Sequence, residues 1–257
     1  MTELHFPNAL LGRRVLVHNS LASTNDVAAG LGADPAHEGL AVVARHQSAG
    51  RGQYGRVWQS RPGASLLLSL IVQPPQTLRR PVILTAWAAV AVGDAVAEFT
   101  GVVPVVKWPN DLLAGGKKVC GILIEQSAAV VLGLGLNVNQ TADEFAAAGL
   151  PEATSLTLLT PGCEPPTWDA VLESVLRCLD RRYAELLDSP DAIEGQWRAR
   201  ARLVGRAATV ELADGTAVPG VVRSLGFDAV ELDCGEVVPR VWPPERVRGV
   251  RPAADAW

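Results

Sequence analysis

Apolar positions along this chain come in two spacings. Residues 40–44, 65–72 and 130–138 are short, nearly continuous apolar runs of strand length, and 65–72 reads as a strand buried on both faces. Shorter or more mixed runs at 15–17, 102–106 and 117–126 add further strands, with Gly115-Gly116 as a hairpin turn before the last. Other stretches carry a helical character. Residues 82–99 are rich in Ala and Val on most faces, which predicts a largely buried helix, and Pro81 suits its first turn. Thr167 caps a second helix. Its apolar positions include Leu172, Val175, Leu176, Leu179, Tyr183, Leu186 and Leu187, with Glu173, Arg177, Asp180, Arg181 and Glu185 on the other face. Ser23 or Thr24 caps a helix with Asp26 near its positive end. Residues 141–153 read as a helix or loop interrupted by Pro151, and 191–201 as one more helix.

Past Arg202 the pattern changes. Short strands at 208–212, 217–222, 229–232 and 237–241 are separated by turns at Asp214-Gly215, 226–228 and 234–236. Such close spacing predicts a small β-barrel of about 50 residues, with a boundary near Arg202.

Composition narrows the class. With 257 residues, 48% hydrophobic and 19% charged, the chain can bury a real core in one or two domains. A formal charge of −4 argues against a general nucleic-acid coat. Cys120, Cys163, Cys178 and Cys234 lie far apart, which reads as reduced thiols in a cytoplasmic protein. His5, His18, His37 and His46 show no metal-ligand spacing. The first residues do not read as a signal peptide, and the strand-like apolar runs are far shorter than the roughly 20 residues of a membrane span.

Charge also has a local pattern. Between Gly39 and Gly93 there is no Asp or Glu, yet the interval holds Arg45, Arg51, Arg56, Arg61, Arg79 and Arg80. Within it, Gly50-Arg51-Gly52-Gln53-Tyr54-Gly55 matches G-x-G-x-x-G. No helix follows, and no acid appears until Asp94, so the dinucleotide reading fails. Lys and Ser/Thr do not follow the last glycine, so it is not a P-loop either. What remains is glycine-freed backbone N–H groups beside guanidinium groups, a site for a phosphate or carboxylate. Lys107-Trp108-Pro109-Asn110-Asp111 places a cation, an aromatic and a carboxylate around a turn. Lys118 opens an apolar strand, where a partly desolvated ammonium needs an anionic partner. Glycines in Gly133-Leu134-Gly135-Leu136-Asn137 let a backbone come close to a ligand.

Taken together, these segments resemble the biotin protein ligase family. The carrying residues are Ser23-Thr24-Asn25, Gln47-Ser48-Ala49-Gly50-Arg51-Gly52, Gly55-Arg56-Val57-Trp58, Lys107 to Asp111, Lys118-Val119-Cys120-Gly121-Ile122-Leu123, and Gly133 to Asn137, in the family's order. The resemblance implies an α+β fold: a mixed-sheet catalytic domain with packed helices over 1–202, and a small SH3-like β-barrel over 203–257. It implies a two-step reaction. Biotin and ATP give biotinyl-5′-AMP and pyrophosphate, and a lysine of a biotin carboxyl carrier domain then takes the biotinyl group.

Carried over by position, Ser23, Thr24 and Gln47 match residues that hold the ureido ring, with Asn25 beside them. Gly50 and Arg51, with Gly52 and Gln53, match a loop that closes over biotin and the adenylate. Trp58 and Asn137 match positions near the nucleotide, where Arg56 and Asn110 are also expected. Lys118 matches the lysine that contacts the biotin carboxylate and α-phosphate. Arg51 and Lys118 would offset anion repulsion, Mg²⁺ would neutralise the triphosphate, and Asp111 would orient the acceptor amine, take its proton, or support Lys107 or the metal. No donor set for the metal is read from the sequence.

Two departures stand out. Many relatives carry a second arginine where this chain has Gln53, which supplies no fixed charge. About twenty residues precede Ser23, too few for the helix-turn-helix domain of regulatory relatives, so a monofunctional ligase without specific DNA or membrane binding is expected. A monomer or weak ligand-dependent homodimer is expected too. The nearest rival is a lipoate or octanoate ligase or transferase. A nucleic-acid module built on the 39–93 segment and a catalytically silent scaffold are the others.

Overall fold

The computed structural model describes residues 1–253, so 254–257 of the expected C-terminal unit lie outside the described residues. The chain opens with β1 (Thr2–His5), β2 (Arg14–His18), α1 (Thr24–Leu31) and β3 (Ala41–Ala44). The glycine-arginine segment follows as β4 (Gly50–Arg51) and β5 (Val57–Trp58), joined by a 3-10 turn at Gln53–Gly55. Next come β6 (Ser65–Val72), α2 (Pro81–Thr100), β7 (Val105–Lys107), β8 (Asp111–Ala114), β9 (Lys117–Gln126) and β10 (Val130–Asn137). Helices α3 (Ala142–Ala147), α4 (Leu156–Leu159), α5 (Trp168–Asp188) and α6 (Pro190–Ala201) lead into β11 (Ala207–Leu212), β12 (Ala217–Leu225), β13 (Val230–Asp233), β14 (Arg240–Trp242) and β15 (Val247–Pro252).

Eight strands form one mixed sheet in the order β1-β2-β3-β6-β10-β9-β8-β7. Only β2 and β3 run parallel within it. The central strands β6 and β10 are buried along their whole length, which is why they read as continuous apolar runs. One face of this sheet packs on α2, itself wedged against α5 and α6. Trp87 of α2 is fully buried, and its ring centroid lies 5.2 Å from that of Tyr183. By length and composition α2 could cross a membrane, but 72% of its most apolar window is buried inside the protein. Thr167 caps α5 by accepting from the Ala170 N–H at 3.2 Å. Ser23 occupies the N-cap of α1 without making a side-chain cap bond, because its neighbours serve another purpose.

Several expectations shift at the edges. The 102–106 run becomes a strand only at Val105–Lys107. The 141–153 segment holds just the six-residue α3, fixed by a capping box between Thr141 and Glu144. β1 and β15 carry no apolar run long enough to be read from sequence. The C-terminal strands pair antiparallel in the order β14-β13-β12-β11-β15, and β14 does not pair with β15. The expected closed barrel is therefore an open five-stranded SH3-like sheet.

That sheet is pinned to the rest by charge and aromatics. Arg80, just ahead of α2, donates to Glu245 at 2.8 Å, Asp228 at 2.8 Å and the Phe227 carbonyl at 2.8 Å. Trp108 packs at a tilt against Trp197, with ring centroids 5.4 Å apart, Trp197 packs against Phe227, and the Trp108 indole N–H donates to the Val247 carbonyl at 3.2 Å.

Candidate active site

The face of the large sheet opposite α2 carries α1 on a small apolar cluster that includes Ala28, Val42, Ile71 and Val131, and beside that helix it is cleared by glycine. Register places Gly121 of β9 opposite Gly135 of β10, and Gly133 opposite Leu123. Adding a Cβ at Gly133 would put it 2.4 Å from Asn25 Oδ1, and at Gly135 2.5 Å from Trp58 Cε2. A Cβ on Gly121 would meet Trp58 and Lys118 Nζ at 3.2 Å. The sequence suggested close approach of a ligand; the structure shows these glycines receiving side chains of the protein itself.

One end of the cleared face is a hydrogen-bonded polar cluster. The segment after β3 runs beside Leu21, with Ser48 N–H donating to the Leu21 carbonyl at 3.0 Å, and this brings Gln47 onto the start of α1. Gln47 Oε1 accepts from the Thr24 backbone N–H at 2.6 Å and from the Thr24 hydroxyl at 2.9 Å. Ser69 of β6 donates to Thr24 Oγ1 at 2.7 Å and is placed 2.5 Å from Asn25 Oδ1. Asn25 Nδ2 donates to Glu125 Oε2 at 2.6 Å. Ser23, Thr24 and Asn25 are all buried.

The other end is cationic. Lys118 Nζ lies 2.7 Å from Asp111 Oδ1, and Asp111 is nearly buried. This answers the sequence's demand for an anionic partner. Pairing of β8 with β9 sets Asp111 opposite Gly121, and the β-bulge beyond Leu112 turns Lys118 toward the same face. Trp58 lies over the bared glycines with its ring centroid 5.7 Å from Lys118 Nζ. Its indole N–H is buried and lacks a partner among the described residues. Successive same-face residues of a strand are about 7 Å apart, so the polar and cationic ends stand within one small molecule's length.

The β4–β5 ribbon covers this face. Gly50 pairs with Trp58, where a Cβ would sit 2.7 Å from the Trp58 carbonyl oxygen. Tyr54 holds a left-handed backbone (φ 57°), and the Arg248 guanidinium from β15 lies 4.8 Å over its ring. Between ribbon and floor is a cleft of about 430 Å³, lined by Arg51 to Gly55 above and Leu123 to Glu125 below. Arg51 Nη2 pairs with Asp26 at 2.7 Å and Glu125 at 3.4 Å. The Arg51 hydrogen bond holds the Asp26 carboxyl below the usual range, and Asp26 raises Arg51 in return. Gln53 Oε1 is buried with no partner among the described residues.

Not every expected residue reaches the cleft as a free group. Asn110 donates to the Ile122 carbonyl at 2.7 Å, fastening the turn to β9. Asn137 is held in a buried network with Gln140, at 2.9 Å, and the Thr154 carbonyl, at 3.0 Å. Lys107 and Arg56 are exposed, with no side-chain ion pair among the described residues. Ser69 and Glu125 were not expected. Each left a faint sign, a polar residue inside a buried strand pattern.

The basic 39–93 interval is largely neutralised in space. Arg51, Arg61 and Arg80 pair with acids from other segments, and Arg45 lies 3.6 Å from Asp169 and over Trp168.

Comparison with known proteins gives one consistent outcome. Residues 17–138 match the profile of the Biotin/lipoate A/B protein ligase family. The bifunctional ligase/repressor BirA of Bacillus subtilis is 35% identical over 226 residues, spanning 85% of this chain and 68% of that protein. The biotin--[acetyl-CoA-carboxylase] ligase of Mycobacterium tuberculosis is 36% identical over 196 residues, 73% of this chain and 70% of that protein. In fold, the chain is similar to the biotin protein ligase of Aquifex aeolicus in complex with biotin and ATP. The TM-score is 0.78 at 23% identity, covering 96% of this chain and 100% of the other.

Proposed function

We propose that this chain, which belongs to the biotin/lipoate A/B protein ligase family, is a biotin protein ligase. It activates biotin with ATP to biotinyl-5′-AMP, and passes the biotinyl group to a lysine of a biotin carboxyl carrier domain. The carrying observation is the glycine-cleared sheet face, polar at the Thr24–Gln47–Ser69 end and cationic at the Lys118 end. A cyclic urea needs donors and acceptors at its head, whereas a lipoyl or octanoyl head needs neither, so this polarity disfavours the rival acid. Residues 1–202 act as the catalytic unit and 203–257 as the C-terminal one.

In the first step the biotin carboxylate oxygen bonds to the α-phosphorus, and the bond from that phosphorus to the bridging oxygen of pyrophosphate breaks. Two anions must meet. Lys118 of the floor and Arg51 of the ribbon, once drawn to the ligand, would reduce the repulsion and stabilise charge growing on the phosphoryl oxygens. Trp58 offers its ring and its unpaired indole N–H to the nucleotide side. Mg²⁺ shields the triphosphate when bound. Such an ion would be carried mainly on phosphate oxygens and water.

In the second step the acceptor amine attacks the mixed anhydride carbonyl, an amide bond forms, and AMP leaves with the C–O bonding pair. The amine must shed a proton. Asp111, paired to Lys118, would orient that amine and receive the proton, or else serve by holding Lys118; the ion pair supports either role. Arg56 and Lys107, both exposed, would meet the incoming carrier or the nucleotide phosphates.

The test is ATP–pyrophosphate exchange with and without biotin, repeated with lipoate and octanoate, then transfer to a carrier domain. Exchange that depends on biotin supports the reading. Exchange driven by lipoate or octanoate but not biotin overturns it.

A further inference from the structure

We propose that Asp26 is a positioning residue for Arg51: it parks the guanidinium beside the cleft, and the anion of the incoming ligand displaces it. This rests on reading the cleft as the site of biotin activation. The β4–β5 ribbon carries no acid, so every counter-charge for Arg51 comes from elsewhere. Two arrive, Asp26 from the first turn of α1 at 2.7 Å and Glu125 from β9 at 3.4 Å. Their roles differ. Glu125 Oε2 also accepts from Asn25 and so belongs to the buried polar cluster. Asp26 is half-exposed and gives its carboxylate to Arg51, with no other side-chain partner among the described contacts.

One guanidinium cannot hold two carboxylates and an arriving carboxylate or phosphate without bringing like charges together. Asp26, the more exposed of the two and not tied to the buried cluster, is the one that yields. The parked state keeps the root of the ribbon ordered before ligand arrives, at the cost of weaker ligand binding. The effect is modest, about a few-fold in affinity, because exposed ion pairs are weak. It falls on ligand affinity and leaves the chemistry untouched, because the pair is already broken in the bound state.

The experiment compares Asp26→Asn and Asp26→Glu in the full chain by two measurements. One is biotin-dependent ATP–pyrophosphate exchange with biotin titrated. The other is tryptic cleavage after Arg51 and Arg56 with no ligand present. The expected result for Asp26→Asn is a biotin KM lowered about two- to fivefold with kcat unchanged, and faster cleavage without ligand. Asp26→Glu restores both toward the parent. An unchanged KM with unchanged cleavage overturns the proposal, and so does a raised KM with a lowered kcat. If the parent shows no biotin-dependent exchange, the functional reading fails on its own, and the cleavage rates alone decide whether Asp26 holds the ribbon.

Discussion

The floor and the cover of the cleft are built by different physics. The floor, on β6, β10 and β9, is hydrogen-bonded on both sides of every strand, and its opposite face belongs to the apolar core under α2. Its side chains are fixed by buried hydrogen bonds and by glycines that leave only one place for Asn25 and Trp58. The cover is a ribbon of two-residue strands, mostly exposed, held by the Arg51 pairs, the Tyr54–Arg248 contact and the Trp58 ring. The floor is fixed by buried hydrogen bonds, whereas the cover is held by exposed charge pairs and ring contacts, which exchange more readily. Loss of the floor's charged groups should therefore strike the chemistry, whereas substitutions at its glycines and in the Gln53–Gly55 tip of the cover should shift binding and release.

The largest effect is expected for Lys118→Ala. Losing the floor's cation should reduce biotin-dependent exchange by about 10²–10³; near-normal exchange would remove Lys118 from the mechanism. Asp111→Asn should slow transfer to the carrier by at least about tenfold and affect exchange less, since the proton is shed only in the second step. Equal losses in both steps, read by single-turnover assays, would make Asp111 a holder of Lys118 alone.

Glycine substitutions test the floor itself. Gly135→Ala should displace Trp58 and raise the KM for ATP by roughly tenfold, a shift worth about 1.4 kcal/mol. Gly133→Ala should displace Asn25 and raise the KM for biotin instead. If both variants raise the same KM, the two ends of the floor are not separate subsites. In the cover, Gln53→Arg should slow release of biotinyl-5′-AMP by a few-fold, because a guanidinium replaces a neutral amide beside the mixed anhydride. A dissociation rate unmoved by that substitution leaves Gln53 without a role in retention.

Much of this was legible in the chain. Residues 65–72 and 130–137 read as strands and fold as strands, because strands buried in a sheet's middle cannot hide their apolar composition. The chemistry-bearing stretches stood out as glycine, arginine and lysine in places where a plain core needs none. Less legible was everything set by partners distant in sequence. The glycine-arginine segment looked like an open loop, yet it pairs with itself as a ribbon. The acid-free interval looked basic, yet acids from α1, β9 and the C-terminal sheet neutralise much of it. The β-barrel expected past Arg202 stays open, since closure depends on edge pairing that no local pattern encodes.

The sequence by itself determined the two classes of element, the change to short strands near Arg202, and the residue types able to bind an activated carboxylate. Local propensity and side-chain chemistry are properties of the chain, so they survive without coordinates. Only the tertiary structure decided that Asp111 faces Lys118, that Asn25 and Trp58 sit on bare glycines, and that Arg51 rests between Asp26 and Glu125. Each depends on strand register or on helix placement, where one residue of slip would turn the same side chains to the opposite face.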